Sequence, residues 1–279
     1  MNPLKTTFAI LLAFLAVPLL AQDPAEPFLK LKGFSHPESI ILDEARNVFY
    51  ISNMADDQPG DGFISRLDRD GQILDLKWIT GLKDPKGLLL NEDKLYVTNN
   101  TELVEIDIQK GKIVKQKMVE GAQSLNDITA DDAGNLYISD SSKSSIFMRD
   151  TSGNIREWLN SPRLEQPNGL LVFGDDILVA AWGKDEPGYV LKVDRKTKKI
   201  ERISRQGIGN LDGVQKIDSD NFYISDWATG KIHKFNMNGK QEEILISEKS
   251  AGDILFLNDS NQLLLPMNFQ NEIWWYSLD

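Results

Sequence analysis

The sequence predicts an all-β fold, a six-bladed β-propeller closed by an N-terminal strand that completes the last blade. A short polar signature recurs six times from residue 36 onward, each time before an apolar run. The third residues of these copies lie 40 to 48 positions apart, and about 43 residues make one propeller blade. We call them the register residues: Glu38, Lys86, Asn126, Asn168, Asp212 and Gly252.

Within each repeat, the second strand gives the clearest signal. β-Branched and aromatic residues dominate it, and Gly, Asp or Asn turns precede it. Five of these strands are predicted to end at Asn53, Asn100, Asp140, Trp182 and Trp227. Third and fourth strands follow, for example 62–67 with 73–78, and 188–194 with 199–203. The pairs Asp70-Gly71, Ser152-Gly153 and Asn238-Gly239 stand where hairpins need a positive φ, and no amphipathic helix is predicted.

The start of the chain has one predicted strand too many for its first blade, and the end has one too few for its last. Residues 28–33 resemble a strand but precede the first repeat, so they belong to no blade of their own. The last repeat offers only three strands, over 254–257, 262–266 and 272–278. We therefore predict that the N-terminal strand pairs with the strand containing Trp274 to Ser277, which joins the ends and removes an exposed edge.

Composition excludes several classes of function. A formal charge of −11 argues against nucleic acid and anionic membranes as partners. The chain of 279 residues has no cysteine, which excludes disulfides and thiolate chemistry. A hydrophobic content of 41% is ordinary for a globular protein.

The first 21 residues have the pattern of a secretory signal peptide. Lys5 supplies the positive start, an apolar run extends from Phe8 to Leu20, and Ala21 precedes the expected cleavage. The alternative is an uncleaved anchor, but the apolar run of about 13 residues is shorter than the roughly 20 that span a bilayer. We expect residues 22–279 to form one propeller domain, exported to the periplasm or the cell exterior and monomeric.

The register residues form the candidate site, because side chains at one register of six blades meet near the axis. Glu38, Asn126, Asn168 and Asp212 supply hard oxygen ligands, and their two carboxylates would be neutralised by a divalent cation. Ca²⁺ fits this set best, Mg²⁺ and Mn²⁺ stay open, and Zn²⁺ would be expected to recruit His or Cys. The alternative is that these polar residues only form turns between blades. His36 is nearby, but a solvated turn histidine is the simpler interpretation.

The loops after the second strands surround the same ring. Trp182 and Trp227 stand at their edge and are candidates for binding an apolar or ring-shaped ligand, with packing between blades as the alternative. Lys86 neighbours Glu38 around the ring. It either meets a substrate carboxylate or the developing oxyanion, forms an ion pair with a loop acid such as Asp84, or competes with the cation for Glu38.

At these positions the chain resembles the family of six-bladed propellers that includes senescence marker protein, regucalcin and gluconolactonase. That resemblance implies a catalytic divalent cation on the axis, held by Glu38, Asn126, Asn168 and Asp212, with Asp212 as the general base. Members are typically Ca²⁺- or Zn²⁺-dependent lactonases. Sugar-lactone hydrolases of the family have an Arg where this chain has Ser124, so a different lactone is expected. The stretch 124–128 is also similar to the related paraoxonases.

The sequence therefore predicts a metal-dependent hydrolase of small-molecule lactones or esters, with Asp212 and Lys86 as catalytic residues and Ser124, Trp182 and Trp227 lining the substrate pocket. The cation would polarise the carbonyl and stabilise the oxyanion. One alternative is a non-catalytic propeller that binds a ligand or protein on this face. A second is a binding protein with a purely structural Ca²⁺.

Overall fold

The computed structural model describes residues 25–55 and 58–278. Within them, twenty-four strands form six four-stranded antiparallel sheets. The innermost strands of successive sheets contact one another around the molecule, and the sixth sheet contacts the first. The predicted six-bladed propeller is therefore confirmed.

In blades 1 to 3, chain order leads from the innermost strand to the outermost. Blade 1 consists of β2 (Pro37–Asp43), β3 (Val48–Asn53), β4 (Gly62–Asp68) and β5 (Ile73–Leu82). Blade 2 consists of β6 (Pro85–Asn91), β7 (Lys94–Asn99), β8 (Glu102–Asp107) and β9 (Lys112–Met118). Blade 3 consists of β10 (Leu125–Ala130), β11 (Leu136–Asp140), β12 (Ser145–Arg149) and β13 (Ile155–Asn160).

Blades 4 and 5 repeat this order, and blade 6 takes its outer strand from the N-terminus. Blade 4 consists of β14 (Pro167–Phe173), β15 (Asp176–Ala181), β16 (Val190–Asp194) and β17 (Ile200–Arg202). Blade 5 consists of β18 (Leu211–Lys216), β19 (Asn221–Asp226), β20 (Lys231–Asn236) and β21 (Gln241–Ile246). Blade 6 consists of β22 (Leu255–Leu257), β23 (Gln262–Met267), β24 (Glu272–Ser277) and β1 (Leu29–Lys32).

The ring is closed at the two places where blade 6 meets the start of the chain. β1 pairs antiparallel with β24, from Leu29 opposite Trp275 to Lys32 opposite Glu272. Nearer the axis, the Asp253 N–H donates to the Glu38 carbonyl at 2.8 Å. The predicted closure by the N-terminal strand is therefore confirmed.

Three second strands end one residue earlier than predicted. β7, β15 and β19 end at Asn99, Ala181 and Asp226 rather than at Asn100, Trp182 and Trp227. At Asn100 the backbone has a φ of 61°. The N–H groups of Trp182 and Trp227 bond carbonyls of the loops that precede β14 and β18, at 2.9 Å each. These residues therefore belong to the loops of the candidate site rather than to the sheet.

The remaining local predictions have mixed outcomes. The hairpin glycines Gly71, Gly153 and Gly239 have φ values of 85°, 87° and 78°, as predicted. The helical structure in the described residues is one 3-10 turn over Pro162–Leu164. The predicted signal peptide lies outside the described residues.

In the part of the chain that the structure describes, no helix has the length and apolar character needed to span a bilayer.

Candidate metal centre

Five of the six register residues line one cavity of about 300 Å³, and the sixth, Gly252, has no side chain. The predicted substrate-lining residues, Ser124, Trp182 and Trp227, line the same cavity. Its full lining consists of Glu38, Met54, Lys86, Ser124, Asn126, Ser141, Ser142, Gln166, Asn168, Trp182, Asp212, Trp227 and Asn268.

A β-bulge positions the register residue in each of the first five blades. In blade 1, Pro37 pairs with Asn53 and the next aligned pair is Ile40 with Ile51, so one extra residue lies on the inner strand. Blades 2 to 5 shift register in the same place. A bulge bends a strand locally and redirects its side chains. The bulge therefore aims the register side chain into the cavity.

Buried hydroxyls compensate for the hydrogen bonds that the bulges disrupt. In blade 3, the Ser139 hydroxyl accepts from the Asp127 N–H at 2.8 Å and donates to the Asn168 carbonyl at 2.7 Å. Ser225 forms the corresponding pair of bonds in blade 5, and Thr98 donates to the Asn126 carbonyl. Each hydroxyl therefore links its own blade to a register residue of the next.

These hydroxyls were missed in the sequence, although a signal exists. Ser52, Thr98, Ser139 and Ser225 all stand one residue before the end of their second strand. A small hydroxyl at a fixed position among large apolar residues marks a place where the backbone needs a side-chain partner.

We expect Ser139→Ala to weaken metal binding about tenfold, the lower end of what loss of a supporting hydrogen bond costs at metal sites. The change leaves the Asp127 N–H and the Asn168 carbonyl without their partner, so the backbone beside two candidate ligands loses its anchor. Calcium titration by calorimetry measures the affinity. Ser65→Ala is the control, because the Ser65 hydroxyl is buried and bonds the Leu76 carbonyl at 2.6 Å, away from the cavity. Equal calcium affinities in the two variants would contradict the prediction.

The residue after the register residue must be small where neighbouring inner strands approach closely. A Cβ at Gly169 would lie 2.1 Å from the Asp212 carbonyl oxygen, far inside contact distance. The absence of a side chain at Gly169 therefore allows blade 5 to bring Asp212 up to blade 4.

Four buried oxygens in the cavity have no hydrogen-bond partner in the described part of the chain. They are Glu38 Oε2, Asn126 Oδ1, Asn168 Oδ1 and Asp212 Oδ1. Buried polar atoms are nearly always paired, because an unpaired one costs about 1–3 kcal/mol. All four belong to the residues predicted as metal ligands, and their types suit a hard cation. The donor set therefore fits a divalent cation.

The orientation of the Asn126 amide follows from its neighbours. Its nitrogen donates to the Ser141 hydroxyl at 3.3 Å, and that hydroxyl donates to the Pro167 carbonyl at 2.8 Å. Because Ser141 uses its only proton on Pro167, it must accept from Asn126. This chain of bonds leaves the Asn126 oxygen free to face the cavity.

Lys86 compensates the charge of the two carboxylates at the cavity only in part. Burial, reinforced by the charge of Asp253, raises the pKa of Asp212 to about 8, although Lys86 opposes the shift. Burial and the nearby Asp212 raise the pKa of Glu38 well above its usual value. Positive charge in the cavity would stabilise the ionised form of both carboxyl groups.

Asp127 and Asp253 are two further buried acids that the sequence did not single out. The Asp127 carboxylate accepts from the backbone N–H groups of Ile128 and Leu170, both at 2.6 Å. Asp253 Oδ2 accepts from the Ser39 hydroxyl at 2.8 Å. Both acids follow register positions directly and hold neighbouring blades together, so we assign them a structural role.

Lys86 lines the cavity and also forms the predicted ion pair with Asp84, with Nζ 3.6 Å from Oδ2. Burial alone would lower the pKa of Lys86, but Asp84, Glu38 and Asp212 outweigh it and raise the pKa. The ammonium group is therefore charged beside the cavity.

The histidines take no part in this cavity. His36 has a φ of 45°, and its Nδ1 lies 3.0 Å from the Ala55 carbonyl oxygen. Within residues 25–55 and 58–278, no group of three or more His, Asp or Glu side chains is arranged to hold a metal ion. The candidate centre therefore depends on the two asparagine oxygens for half of its ligands.

Comparisons with known proteins bear on the fold. No model of a known protein family matches the chain, and no curated protein matches it. A gluconolactonase from Xanthomonas campestris superposes with a TM-score of 0.72 at 14% identity, over 92% of this chain and 96% of that one. Virginiamycin B lyase from Staphylococcus aureus gives a TM-score of 0.65 at 16% identity, over 90% and 88%. This chain shares their fold.

A further structure of the staphylococcal lyase, a catalytically inactive form with quinupristin, gives a TM-score of 0.62 at 16% identity, over 90% of this chain and 88% of that one. Proteins that superpose on this chain thus include a lactonase and a lyase. At these identities the likeness concerns the architecture, and the site residues must decide the chemistry.

Proposed function

We propose that this protein is a divalent-cation-dependent hydrolase of lactones or related esters, in the family of senescence marker protein, regucalcin and gluconolactonase. The observation that carries the proposal is the set of four buried, unpartnered oxygens of Glu38, Asn126, Asn168 and Asp212 at one cavity. The shared fold with a gluconolactonase supports it.

These four residues would hold the cation, with Ca²⁺ as the best fit to oxygen ligands of this kind and Mg²⁺, Mn²⁺ and Zn²⁺ as alternatives. When bound, the cation supplies Lewis-acid polarisation of the substrate carbonyl. The asparagine amides add no charge, so the two carboxylates set the charge that the cation balances.

Asp212 acts as the general base in this proposal. Its carboxylate lies at the cavity, and beside a bound cation it would stay ionised despite its raised pKa, and so be able to accept a proton from water. The water oxygen bonds to the carbonyl carbon, the ring C–O bond breaks, and the proton taken by Asp212 passes to the departing oxygen. General-base catalysis of this kind contributes about 10²–10⁴-fold.

The proposal is tested by metal analysis and a substrate panel. Protein stripped with a chelator should hydrolyse no lactone, and adding Ca²⁺, Mg²⁺, Mn²⁺ or Zn²⁺ separately should restore turnover with one preferred ion. A panel of alkyl, aryl and sugar-acid lactones with aryl esters defines the substrate class. Turnover that is unaffected by the chelator would overturn the metal-dependent mechanism. Tight calcium binding without turnover of any substrate would favour the non-catalytic alternative.

Lys86→Met should lower turnover of carboxylate-bearing lactones by roughly tenfold, equivalent to about 1.4 kcal/mol, with calcium affinity little changed. The reason is that the ammonium group at the cavity meets negative charge on the substrate or on the developing oxyanion. Steady-state kinetics and calorimetry give the two values. Lys83→Met is the control, since Lys83 is paired with Glu102 at 2.9 Å and does not line the cavity. Tighter calcium binding after Lys86→Met would instead identify Lys86 as a competitor of the cation.

We also propose that the mature protein begins after residue 21, outside the cytoplasm, and is a monomer. The apolar run before Ala21 supports cleavage. Mass spectrometry of the protein from a fractionated native host would give the N-terminus and the compartment, and light scattering would give the mass in solution.

A further inference from the structure

The polarity of the cavity wall differs from one side to the other. Lys86, Ser124 and Gln166, together with Ser141 and Ser142, supply polar groups from blades 2 to 4. Trp182, Trp227 and Met54, from blades 4, 5 and 1, supply apolar surface. A ligand that fills the cavity therefore meets hydrogen-bonding groups on one side and aromatic rings on the other.

The apolar side is a pre-formed aromatic wall. The rings of Trp182 and Trp227 have centroids 5.4 Å apart and are tilted by 52°, and Phe269 meets Trp227 edge-on at 4.8 Å. The Trp227 indole N–H donates to Asn268 Oδ1 at 2.7 Å, which fixes the orientation of the ring. Its polar atom is thus already paired, and the wall offers the cavity apolar ring surface.

The position of Trp182 and Trp227 at the cavity favours ligand binding over packing between blades alone. Both are half-buried rather than buried, and each retains surface at the cavity. Trp274 and Trp275 in blade 6, by contrast, are enclosed at 3% and 5% exposure. Exposed aromatic surface beside a polar floor is typical of ligand pockets.

We propose that Trp182 and Trp227 form a subsite for a flat apolar ring or short alkyl chain of the substrate, beside the carbonyl that reacts. This inference rests on the proposed function and narrows its substrate class to lactones or esters with an apolar substituent. A volume of about 300 Å³ is at the low end for small-molecule pockets, which leaves space for one small ring and its substituent.

The test compares two five-membered lactones, one unsubstituted and one carrying a phenyl group, on the calcium-loaded protein. The parent should prefer the phenyl lactone in kcat/KM, and Trp182→Ala and Trp227→Ala should each reduce that preference by roughly tenfold, since an aromatic contact contributes about this much. Trp78→Ala is the control, because Trp78 packs on Tyr50 at 5.0 Å and does not line the cavity. An unchanged preference in both cavity variants would overturn the subsite.

A binding measurement separates failure of the subsite from failure of the proposed function. The corresponding phenyl and unsubstituted lactams resist hydrolysis, so their affinities can be measured by calorimetry even if no lactone is turned over. Tighter binding of the phenyl lactam that is lost in Trp182→Ala and Trp227→Ala supports the subsite. Equal binding of the two lactams by the parent overturns it.

Discussion

Asp212→Ala is expected to lower turnover by roughly 10²–10⁴-fold and to weaken calcium binding, while the fold is retained. Loss of the general base accounts for the kinetic effect. Turnover and calcium affinity should fall, but the thermal stability of the metal-free protein should not. The variant removes a buried acid whose charge Lys86 compensates only in part, so the melting temperature of metal-free protein should stay the same or rise.

Asp212→Asn separates the two roles of this residue. The amide retains an oxygen for the cation but cannot accept the proton, so calcium should still bind while turnover is lost. Thermal melting with and without calcium gives the metal effect independently of activity, because a ligand that binds the folded state stabilises it by RT ln(1 + [L]/Kd). Near-parental turnover by calcium-loaded Asp212→Asn would exclude Asp212 as the base.

Deletion of residues 25–34 is expected to lower the free energy of unfolding by about 3–5 kcal/mol, chiefly through lost apolar burial. Leu29 and Leu31 pack against the core of blade 6 with Trp275, and Phe34 is 5% exposed in the same cluster. The deletion also leaves β24 as an unpaired edge, which invites association between chains. Urea denaturation measures the loss, and light scattering detects the association.

Point variants test whether the apolar or the charged side chains of β1 stabilise the closure. Leu29→Asn with Leu31→Asn removes the side chains that face the core, whereas Lys30→Asn with Lys32→Asn changes the exposed face of the same strand. The leucine pair should account for most of the loss. A larger effect of the lysine pair would indicate that the cation–π contact of Lys30 with Trp274, at 4.1 Å, and the ion pair of Lys32 with Glu272 stabilise the closure instead.

The fold could be predicted because each blade repeats its signals. A turn, an apolar inner strand and an aromatic second strand recur with a period close to one blade, and the incomplete last repeat matches the extra first strand. The common register predicts that Glu38, Asn126, Asn168 and Asp212 meet near the axis, and all four line one cavity. Because the blades repeat around one axis, residues at the same position in each repeat are predicted to lie close together in the fold.

The parts that could not be predicted depend on how particular strands and side chains meet in three dimensions. The bulge beside Glu38 depends on the pairing of β2 with β3, and an alternating pattern does not reveal an extra residue. Asp127 was not singled out in the sequence, yet its carboxylate accepts from the Leu170 N–H of the next blade. The ion pair of Lys86 with Asp84 was one of several alternatives, since the conformation of a flexible side chain leaves no periodic pattern in the sequence.

The closure of blade 6 also determines when the molecule can finish folding. β1 precedes the other strands of the propeller and β24 follows them, so almost the whole propeller sequence separates the two partners in this pairing. Five blades can assemble from neighbouring segments, but the seam must bring distant ends together, and such long-range pairing is slow. A growing chain would hold β1 unpaired until β24 has been synthesised. Pairing of the β23–β24 hairpin with β1 is thus expected to be the last step of folding. Truncations of this hairpin should produce open rings that are prone to aggregate.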